Sequence, residues 1–225
     1  MTKKTLLGLY LGLSLLTNQA LLAWPTEVAI TIDDAPTINT QAIVSTLAAN
    51  SCSVTFFVIG EQLPKYYSAL QQALANNCLI GNHTFDHPNI TKLTDQQLVS
   101  QITTTEKLCQ EYFGTKPIYF RPPAGRYNGA NQLTLDRLGY QTVTWQVDSR
   151  DWQKPEKALA CVTSQLAELT WPSIILLHDQ TETLNYLPDL LAWLKQKNIQ
   201  CVGLDKIISD RKKLTEKPLA TNRKF

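Results

Sequence analysis

All three histidines of this 225-residue chain lie beside residues that could share their chemistry. His83 and His87 are four residues apart, and His178 ends a short apolar run. Two adjacent carboxylates, Asp33 and Asp34, follow another apolar run near the start of the chain. Two imidazoles and a carboxylate can hold a divalent metal, which leaves one carboxylate and one imidazole for proton transfer. This inventory is what a metal-dependent hydrolase needs.

The spacing of His83 and His87 places both rings on one face only if the residues between them form a helical turn. The pair follows a predicted strand and precedes Pro88, which suits a turn at this point. With Asp34 it supplies two nitrogens and one oxygen, the ligand count of a catalytic zinc that keeps one position open for water. The alternative is that the histidines bind nothing and that Asp33–Pro36 is a polar turn. The combination of both motifs in one chain favours the metal site.

The composition indicates one globular domain without a polyanionic partner. The apolar fraction is 44% and the charged fraction is 18%, both ordinary values. A chain of this length forms one domain with a core of its own and is too short for two enzymatic domains. The net charge of +2 gives no case for nucleic-acid binding or for electrostatic membrane binding.

The N-terminus is typical of a secretory signal. Lys3 and Lys4 precede an apolar stretch from Leu6 to Leu16, and the polar run Thr17–Gln19 and the segment Ala20–Ala23 follow. The stretch is too short for a comfortable membrane span, which needs roughly 20 residues. We therefore expect a signal peptide over residues 1–23 and a secreted or periplasmic protein with no stable membrane insertion after cleavage. An uncleaved anchor and a buried first helix are the alternatives.

The rest of the chain is expected to form one domain over residues 24–209, followed by a basic, solvated tail over residues 210–225. No internal repeat, linker or low-complexity block divides the domain. The sequence does not indicate an oligomeric state.

Five cysteines occur without a C-x-x-C pair, so a cysteine zinc site is not expected. In an exported protein one or two disulfides would form. Cys52 and Cys78 each open a predicted strand, and those strands would lie side by side, which makes this the pairing we expect. Buried, inert thiols are the alternative.

Short apolar runs alternate with helical segments along the domain. The alternation predicts parallel βα units in an α/β fold. The predicted strands are Val28–Asp33, Val54–Ile59, Cys78–Asn82, Ile118–Arg121, Thr142–Val147, Ile174–His178 and Gln200–Leu204. The predicted helices are Thr40–Ala49, Pro64–Asn76, Thr94–Phe113, Gly129–Leu138, Pro155–Leu169 and Leu184–Lys197.

The polar motifs fall at the C-terminal ends of these strands. The residues concerned are Asp33 and Asp34, His83, Arg121, Asp148 and His178. In a closed βα barrel the C-terminal strand ends share one face, where active sites lie. In an open doubly wound sheet they would share one edge over a longer distance. We therefore predict a distorted (β/α) barrel of about seven parallel strands.

Five segments in order resemble the motifs of the polysaccharide deacetylases with a NodB-homology domain, carbohydrate esterase family four. They are Thr31–Ala35, His83–His87, Arg121–Gly125, Asp148–Trp152 and Leu176–Asp179. Five motifs in order are far more specific than any one of them.

The resemblance covers roughly residues 27–204 and has two departures. Ile32 replaces the usual aromatic residue of the first motif, and Ala124 stands where many members have tyrosine. Both departures affect the expected substrate more than the expected activity.

The resemblance also implies roles at the matching positions. Asp34, His83 and His87 would bind the metal, usually zinc, with cobalt or nickel as alternatives. Asp33 would be the general base, and Arg121 would keep it ionised.

On the other side of the metal, the resemblance implies that His178 is the general acid and that Asp151 orients its ring. Trp152 and Leu176 would form an apolar pocket for the acetyl methyl group. The loop at Pro123 and Ala124 would contact the substrate, with a backbone N–H for the oxyanion.

The expected function is removal of N-acetyl groups from a glycan such as peptidoglycan or a chitin-type oligomer. Two alternatives are left open. One is a hydrolase of the same scaffold that acts on O-acetyl groups or small amides, and the other is an inactive glycan-binding module. The intact set of base, acid and three ligands argues against a module that only binds.

Overall fold

Among residues 25–216, which the computed structural model describes, eight strands form one curled parallel sheet. Their order is β5-β4-β3-β2-β1-β7-β6, and β8 pairs with the start of β1. The predicted distorted (β/α) fold is confirmed. The strands are β1 Glu27–Ala35, β2 Thr55–Val58, β3 Leu79–Asn82, β4 Tyr119–Phe120, β5 Gln141–Thr142, β6 Val147–Asp148, β7 Ser173–His178 and β8 Gln200–Cys201.

Seven α-helices connect or follow these strands, and six of them lie where the sequence predicts them. They are α1 Thr40–Ala49, α2 Leu63–Ala75, α3 Asp95–Phe113, α4 Gly129–Arg137, α5 Ala158–Ala167, α6 Thr181–Gln196 and α7 Leu204–Glu216. Single 3₁₀ turns occur at Gly60–Gln62, Ile90–Lys92, Pro123–Gly125 and Pro155–Lys157. Among the described residues, no helix is long and apolar enough to cross a membrane.

The alternation of side chains along β1 sorts the core into two layers. Val28, Ile30 and Ile32 belong to the large cluster that packs against the surrounding helices. Ala29 points to the other face and belongs to a smaller cluster inside the curl. Asp33 shares the face of Ala29, because both positions are odd-numbered on the same strand. The carboxylate of Asp33 is therefore placed in the interior of the curl, at its C-terminal end.

The segment predicted as one strand over Thr142–Val147 is two short strands on opposite edges of the sheet. β5 pairs with β4, and β6 pairs with β7. The N–H of Val143 donates to the carbonyl of Phe120 at 2.8 Å, and the N–H of Gln146 donates to that of Ile174 at 3.0 Å. The four residues between the two strands therefore cross from one edge to the other and bring the edges close together.

Helix α7 closes the N-terminal end of the curl. Leu204 and Ile207 are buried against the inner face of the sheet. The sequence places the start of a solvated tail at residue 210, whereas the helix continues to Glu216 and Arg211 donates to the carbonyl of Pro172 at 3.0 Å. The charged residues of this stretch thus belong to an amphipathic helix. The predicted signal segment and the last nine residues of the predicted tail lie outside the described residues.

The disulfide joins Cys52 to Cys201, so the expected pairing of Cys52 with Cys78 is wrong. Strands β2 and β3 are neighbours, as predicted, but Cys52 lies before β2, on the side where β8 meets β1. Cys78 and Cys109 are buried thiols. Burial raises the pKa of both, that of Cys109 to about 12, which makes them unreactive.

Candidate active site

The strand ends bring the predicted polar residues to one face of the curled sheet. Asp33 and Asp34 lie among the last three residues of β1, His83 follows β3, Arg121 follows β4, and His178 ends β7. The carboxyl ends of parallel strands meet at one end of the sheet, so residues far apart in sequence become neighbours.

Asp34, His83 and His87 form a cluster whose possible ligand atoms all lie within 4.8 Å of one another. Oδ1 of Asp34 is 3.6 Å from Nε2 of His83 and 3.5 Å from Nε2 of His87. Two ligands about 2.1 Å from a tetrahedral zinc ion are separated by about 3.4 Å. The spacing therefore suits one ion held by all three side chains.

Two features of the donor atoms fit a divalent cation. Oδ1 of Asp34 is buried and has no hydrogen-bond partner among the described residues. Nδ1 of His83 lies 2.7 Å from the carbonyl of Arg121, which can only accept, so Nδ1 carries the proton and Nε2 presents its lone pair. Burial lowers the pKa of His83 despite the neighbouring carboxylates, and this favours the neutral form that binds metal.

The backbone bends sharply at and beside the candidate ligand residues. Asp34 has φ of 64°, and Thr84 and His87 have φ of 72° and 59°. The bend at Asp34 lets adjacent carboxylates face different partners, although neighbours in a regular strand point to opposite sides. The bends at Thr84 and His87 turn the second imidazole back toward the first, with their ring centroids 4.9 Å apart.

Asp33 is buried beside the cluster and forms an ion pair with Arg121. Nη1 of Arg121 is 2.7 Å from Oδ1 of Asp33 and also donates to Thr31 Oγ1 at 2.7 Å. The other oxygen of Asp33, Oδ2, is 3.6 Å from Nε2 of His83. One oxygen of Asp33 is therefore held by the guanidinium, and the other faces the position that a cation would occupy.

His178 faces the same space from β7 and is held by Asp151. Nδ1 of His178 donates to Oδ1 of Asp151 at 2.6 Å, which leaves Nε2 toward the cavity. Burial alone would lower the pKa of His178, but the hydrogen bond and charge of Asp151, with smaller contributions from Asp33 and Asp34, outweigh it and raise the pKa. A raised pKa favours the protonated ring, which is able to donate.

Asp151 itself is fixed by several donors. Its Oδ2 accepts from the backbone N–H of His178 at 2.9 Å, the Tyr186 hydroxyl at 2.9 Å and the Thr183 hydroxyl at 3.2 Å. Burial raises the pKa of Asp151, but these bonds and the His178 ring outweigh it and lower the pKa overall. Tyr186 and Thr183 were not predicted from the sequence, because nothing local marks a helix residue as a partner of a distant carboxylate.

A cavity of about 400 Å³ opens beside these groups. Its walls include Trp152 and Leu176, as predicted, together with Trp145, which the sequence analysis missed. A Cβ added to Gly125 would lie 2.8 Å from the Trp145 ring, so the loop packs directly on this indole. Ala124 also lines the cavity, whereas Pro123 is buried behind it.

Two further acidic residues surround the site without entering the cluster. Oδ1 of Asp148 accepts from the N–H of Arg150 at 2.8 Å, a contact that fixes the loop after β6. Asp179 accepts from the hydroxyl of Thr40 and from both the hydroxyl and the N–H of Thr37, and so it holds the loop that follows Asp34.

Comparison with known proteins identifies the group to which this arrangement belongs. The family profile described as polysaccharide deacetylase matches residues 25–143, more than half of the chain. The peptidoglycan-N-acetylglucosamine deacetylase PgdA of Listeria monocytogenes is 29% identical over 82% of this chain, which spans 39% of that relative's length. The chitooligosaccharide deacetylase of Azorhizobium caulinodans is 33% identical over 68% of this chain and 73% of its own length.

A solved structure has the same fold. T48 deacetylase with substrate superposes with a TM-score of 0.75 at 32% identity, over 82% of this chain and 91% of that one.

Proposed function

The chain belongs to the polysaccharide deacetylase family, and we propose that it removes N-acetyl groups from a glycan of N-acetylglucosamine residues, either peptidoglycan or a chitin-type oligomer. The observation that carries this proposal is the flanking of the Asp34–His83–His87 cluster by two different titratable pairs. The first pair is Asp33–Arg121, in which Oδ2 of Asp33 is 3.6 Å from Nε2 of His83. The second pair is His178–Asp151, and His178 lines the same cavity as the three cluster residues.

The cluster supports a divalent metal, for which we propose zinc, with cobalt or nickel as alternatives. When bound, such an ion would lower the pKa of a water and polarise the amide carbonyl. Asp33 would accept the proton of the attacking water through Oδ2, the oxygen that Arg121 leaves free. Arg121 would hold Asp33 in place through its bond to Oδ1.

Attack of the water oxygen on the acetyl carbon gives a tetrahedral species with a negative oxygen. We assign the backbone N–H of Ala124 as a donor to this oxygen, a contact typically worth about 3 kcal/mol. Nε2 of His178 would then donate its proton to the amide nitrogen as the carbon–nitrogen bond breaks. The products are acetate and a free amine on the sugar.

The cavity supports acetyl as the group removed. Leu176 and Trp152, with Trp145, form an apolar wall beside Asp33 and His178. A wall of this kind favours a small methyl group.

We also propose that the protein acts outside the cytoplasm, where a wall glycan would be accessible. The predicted signal segment motivates this location, and the disulfide between Cys52 and Cys201 supports it, because disulfides persist in oxidising compartments.

The test is an acetate-release assay on defined substrates. We expect release from chitotetraose or from peptidoglycan fragments, its loss with chelator and its recovery on addition of one equivalent of zinc. Acetylated xylan serves as the ester arm, and release from xylan alone would replace the proposal with an O-deacetylase. Binding of the glycans without acetate release would instead identify a binding module.

A further inference from the structure

We propose that Asn82 is a positioning residue for the metal site and that Tyr140 fixes its side chain. This inference rests on the proposed function and goes beyond the proposed ligands, because neither residue belongs to the cluster or lines its cavity. Asn82 ends β3, directly before His83, and is fully buried. Its amide links helix α3 and the residue before β5 to the turn that carries both imidazoles.

The turn between the two imidazoles contains a residue in a strained conformation. Thr84 has φ of 72°, in the left-handed region, which a β-branched residue rarely adopts. Such a conformation persists only where the surrounding groups hold it. Oδ1 of Asn82 accepts from the N–H of Thr84 at 2.9 Å, and Oγ1 of Thr84 accepts from the N–H of His87 at 3.1 Å. The Asn82 amide therefore stabilises the turn that brings His87 toward His83.

The other end of the Asn82 amide is held by two acceptors. Nδ2 donates to the carbonyl of Ile102 in α3 at 3.0 Å and to the hydroxyl of Tyr140 at 3.2 Å. The Ile102 carbonyl can only accept, and the N–H of Thr84 can only donate, so the two contacts allow one orientation of the amide. That orientation keeps Oδ1 of Asn82 on the strained turn.

Tyr140 connects the Asn82 amide to a charged pair near the surface. The Tyr140 hydroxyl accepts from Asn82 and donates to Oε2 of Glu106 at 3.0 Å, and Glu106 is paired with Lys116 at 3.1 Å. Burial raises the pKa of Tyr140, so the hydroxyl keeps its proton and serves as donor and acceptor at once. Removal of this hydroxyl would leave one N–H of the Asn82 amide without its partner.

Zinc affinity of the metal-free protein, measured by calorimetry, tests this role without substrate. Asn82→Ala removes the acceptor for Thr84 and should weaken zinc binding by about 10- to 100-fold, the range for residues that orient metal ligands. Tyr140→Phe removes one hydrogen bond to the amide and should weaken zinc binding by about three- to tenfold. Asn82→Ser can still accept from the N–H of Thr84, more weakly than asparagine does, and should recover part of the affinity lost in Asn82→Ala.

Tyr119→Phe is the matched control. Tyr119 is also a buried tyrosine, but it packs in the inner cluster with residues of α7. We expect its zinc affinity to equal that of the wild type. Urea denaturation of each metal-free variant shows whether it is folded under the conditions of the binding measurement, so that affinities are compared between folded proteins. If Asn82→Ala does not fold, Asn82→Ser and Tyr140→Phe decide the question.

The outcomes separate this inference from the proposed function. Wild-type zinc affinity in the Asn82 variants would overturn the positioning role and leave the deacetylase intact. Equal affinities in Asn82→Ser and Asn82→Ala would also overturn it, because they would leave Asn82 a role in packing alone. An equal loss of affinity in Tyr119→Phe and Tyr140→Phe would remove the role of the Tyr140 hydroxyl. The expected pattern of zinc affinities would support this inference even if no glycan releases acetate, a result that would remove only the proposed function.

Discussion

Arg121 and Asp33 form an ion pair that is almost fully buried, with 2.7 Å between Nη1 and Oδ1. The guanidinium carbon also lies 4.2 Å from the centre of the Phe57 ring, and Nε donates to the carbonyl of Val143 at 3.3 Å. Val143 begins the crossing between the two sheet edges, and Asp33 lies near the C-terminal end of β1. Arg121 therefore contacts both the segment that crosses between the sheet edges and the carboxylate of the site.

Replacement of Arg121 by methionine should destabilise the fold. The change leaves Asp33 in the interior without a countercharge, a type of loss that costs about 3–5 kcal/mol in the free energy of unfolding. Urea denaturation at pH 7 measures this. Arg137→Met is the control, because the Arg137–Asp95 pair lies on the surface and its loss should leave stability near that of the wild type. Equal midpoints for the two variants would contradict the role given to Arg121.

The pH dependence should report on His178 and Asp151. If His178 is the general acid, as proposed, it must be protonated to act. Its pKa is raised, so the alkaline limb of kcat should lie above the ordinary histidine pKa near 6.5. Asp151→Asn preserves the shape but removes the charge, so the limb should move to lower pH and kcat should fall by about 10²-fold or more. A pH profile whose alkaline limb does not move would show that Asp151 does not control the pKa of His178.

The free energy of unfolding of the metal-free protein should also depend on pH through the protonation of His178. The folded state binds the His178 proton more tightly than the unfolded chain does, because the folded pKa is raised. The resulting stabilisation is complete below the unfolded pKa and is lost as pH rises through the folded pKa. Asp151→Asn should flatten this part of the curve of unfolding free energy against pH.

The two imidazoles proposed as metal ligands should differ in how their loss affects the stability of the fold. The side chain of His87 is 39% exposed, whereas that of His83 is 1% exposed and bonded to the Arg121 carbonyl. Both alanine variants should weaken zinc binding in calorimetry by at least about 100-fold. His83→Ala should also lower the stability of the metal-free protein by about 2 kcal/mol, since it leaves a buried carbonyl unpaired. Unchanged zinc affinity in either variant would exclude that residue as a ligand.

Loss of the disulfide should affect stability and not catalysis. Cys52 and Cys201 close a loop with a sequence separation of 149 at the end of the sheet remote from the site. Removal of such a crosslink typically costs about 2–5 kcal/mol. The double alanine variant should therefore unfold at lower denaturant concentration with an unchanged kcat, and Cys161→Ala serves as the control. A fall in kcat with stability preserved would contradict this separation.

The sequence could predict the parts of the fold that depend on local pattern. The apolar runs and helical segments reproduce most elements. The break within residues 142–147 could not be predicted, because the two halves pair with different edges and a continuous run of strand-forming residues does not show this. The predicted disulfide pairing was wrong for a similar reason, because β8 lies beside β1 only after the sheet has curled.

The site was predictable as a set of residues but not as a network. The motif residues mark Asp33, Asp34 and His178, and the structure brings them together. The residues that hold them in place carry no local signal. Trp145 could have been noticed as a tryptophan between two sheet segments, whereas Tyr186 lies on a helix and becomes a partner of Asp151 only through packing.

We propose that the adjacent carboxylates have different roles. Asp34 binds the metal, and Asp33 accepts a proton from the attacking water. The most direct measurement is zinc content and acetate release from chitotetraose in Asp33→Asn, made on the same sample beside the wild type. We expect one equivalent of zinc in both proteins and a fall in kcat of about 10²–10⁴-fold in the variant. Wild-type turnover in Asp33→Asn would contradict it, as would a loss of zinc equal to the loss of activity, which would make Asp33 a ligand instead of the base.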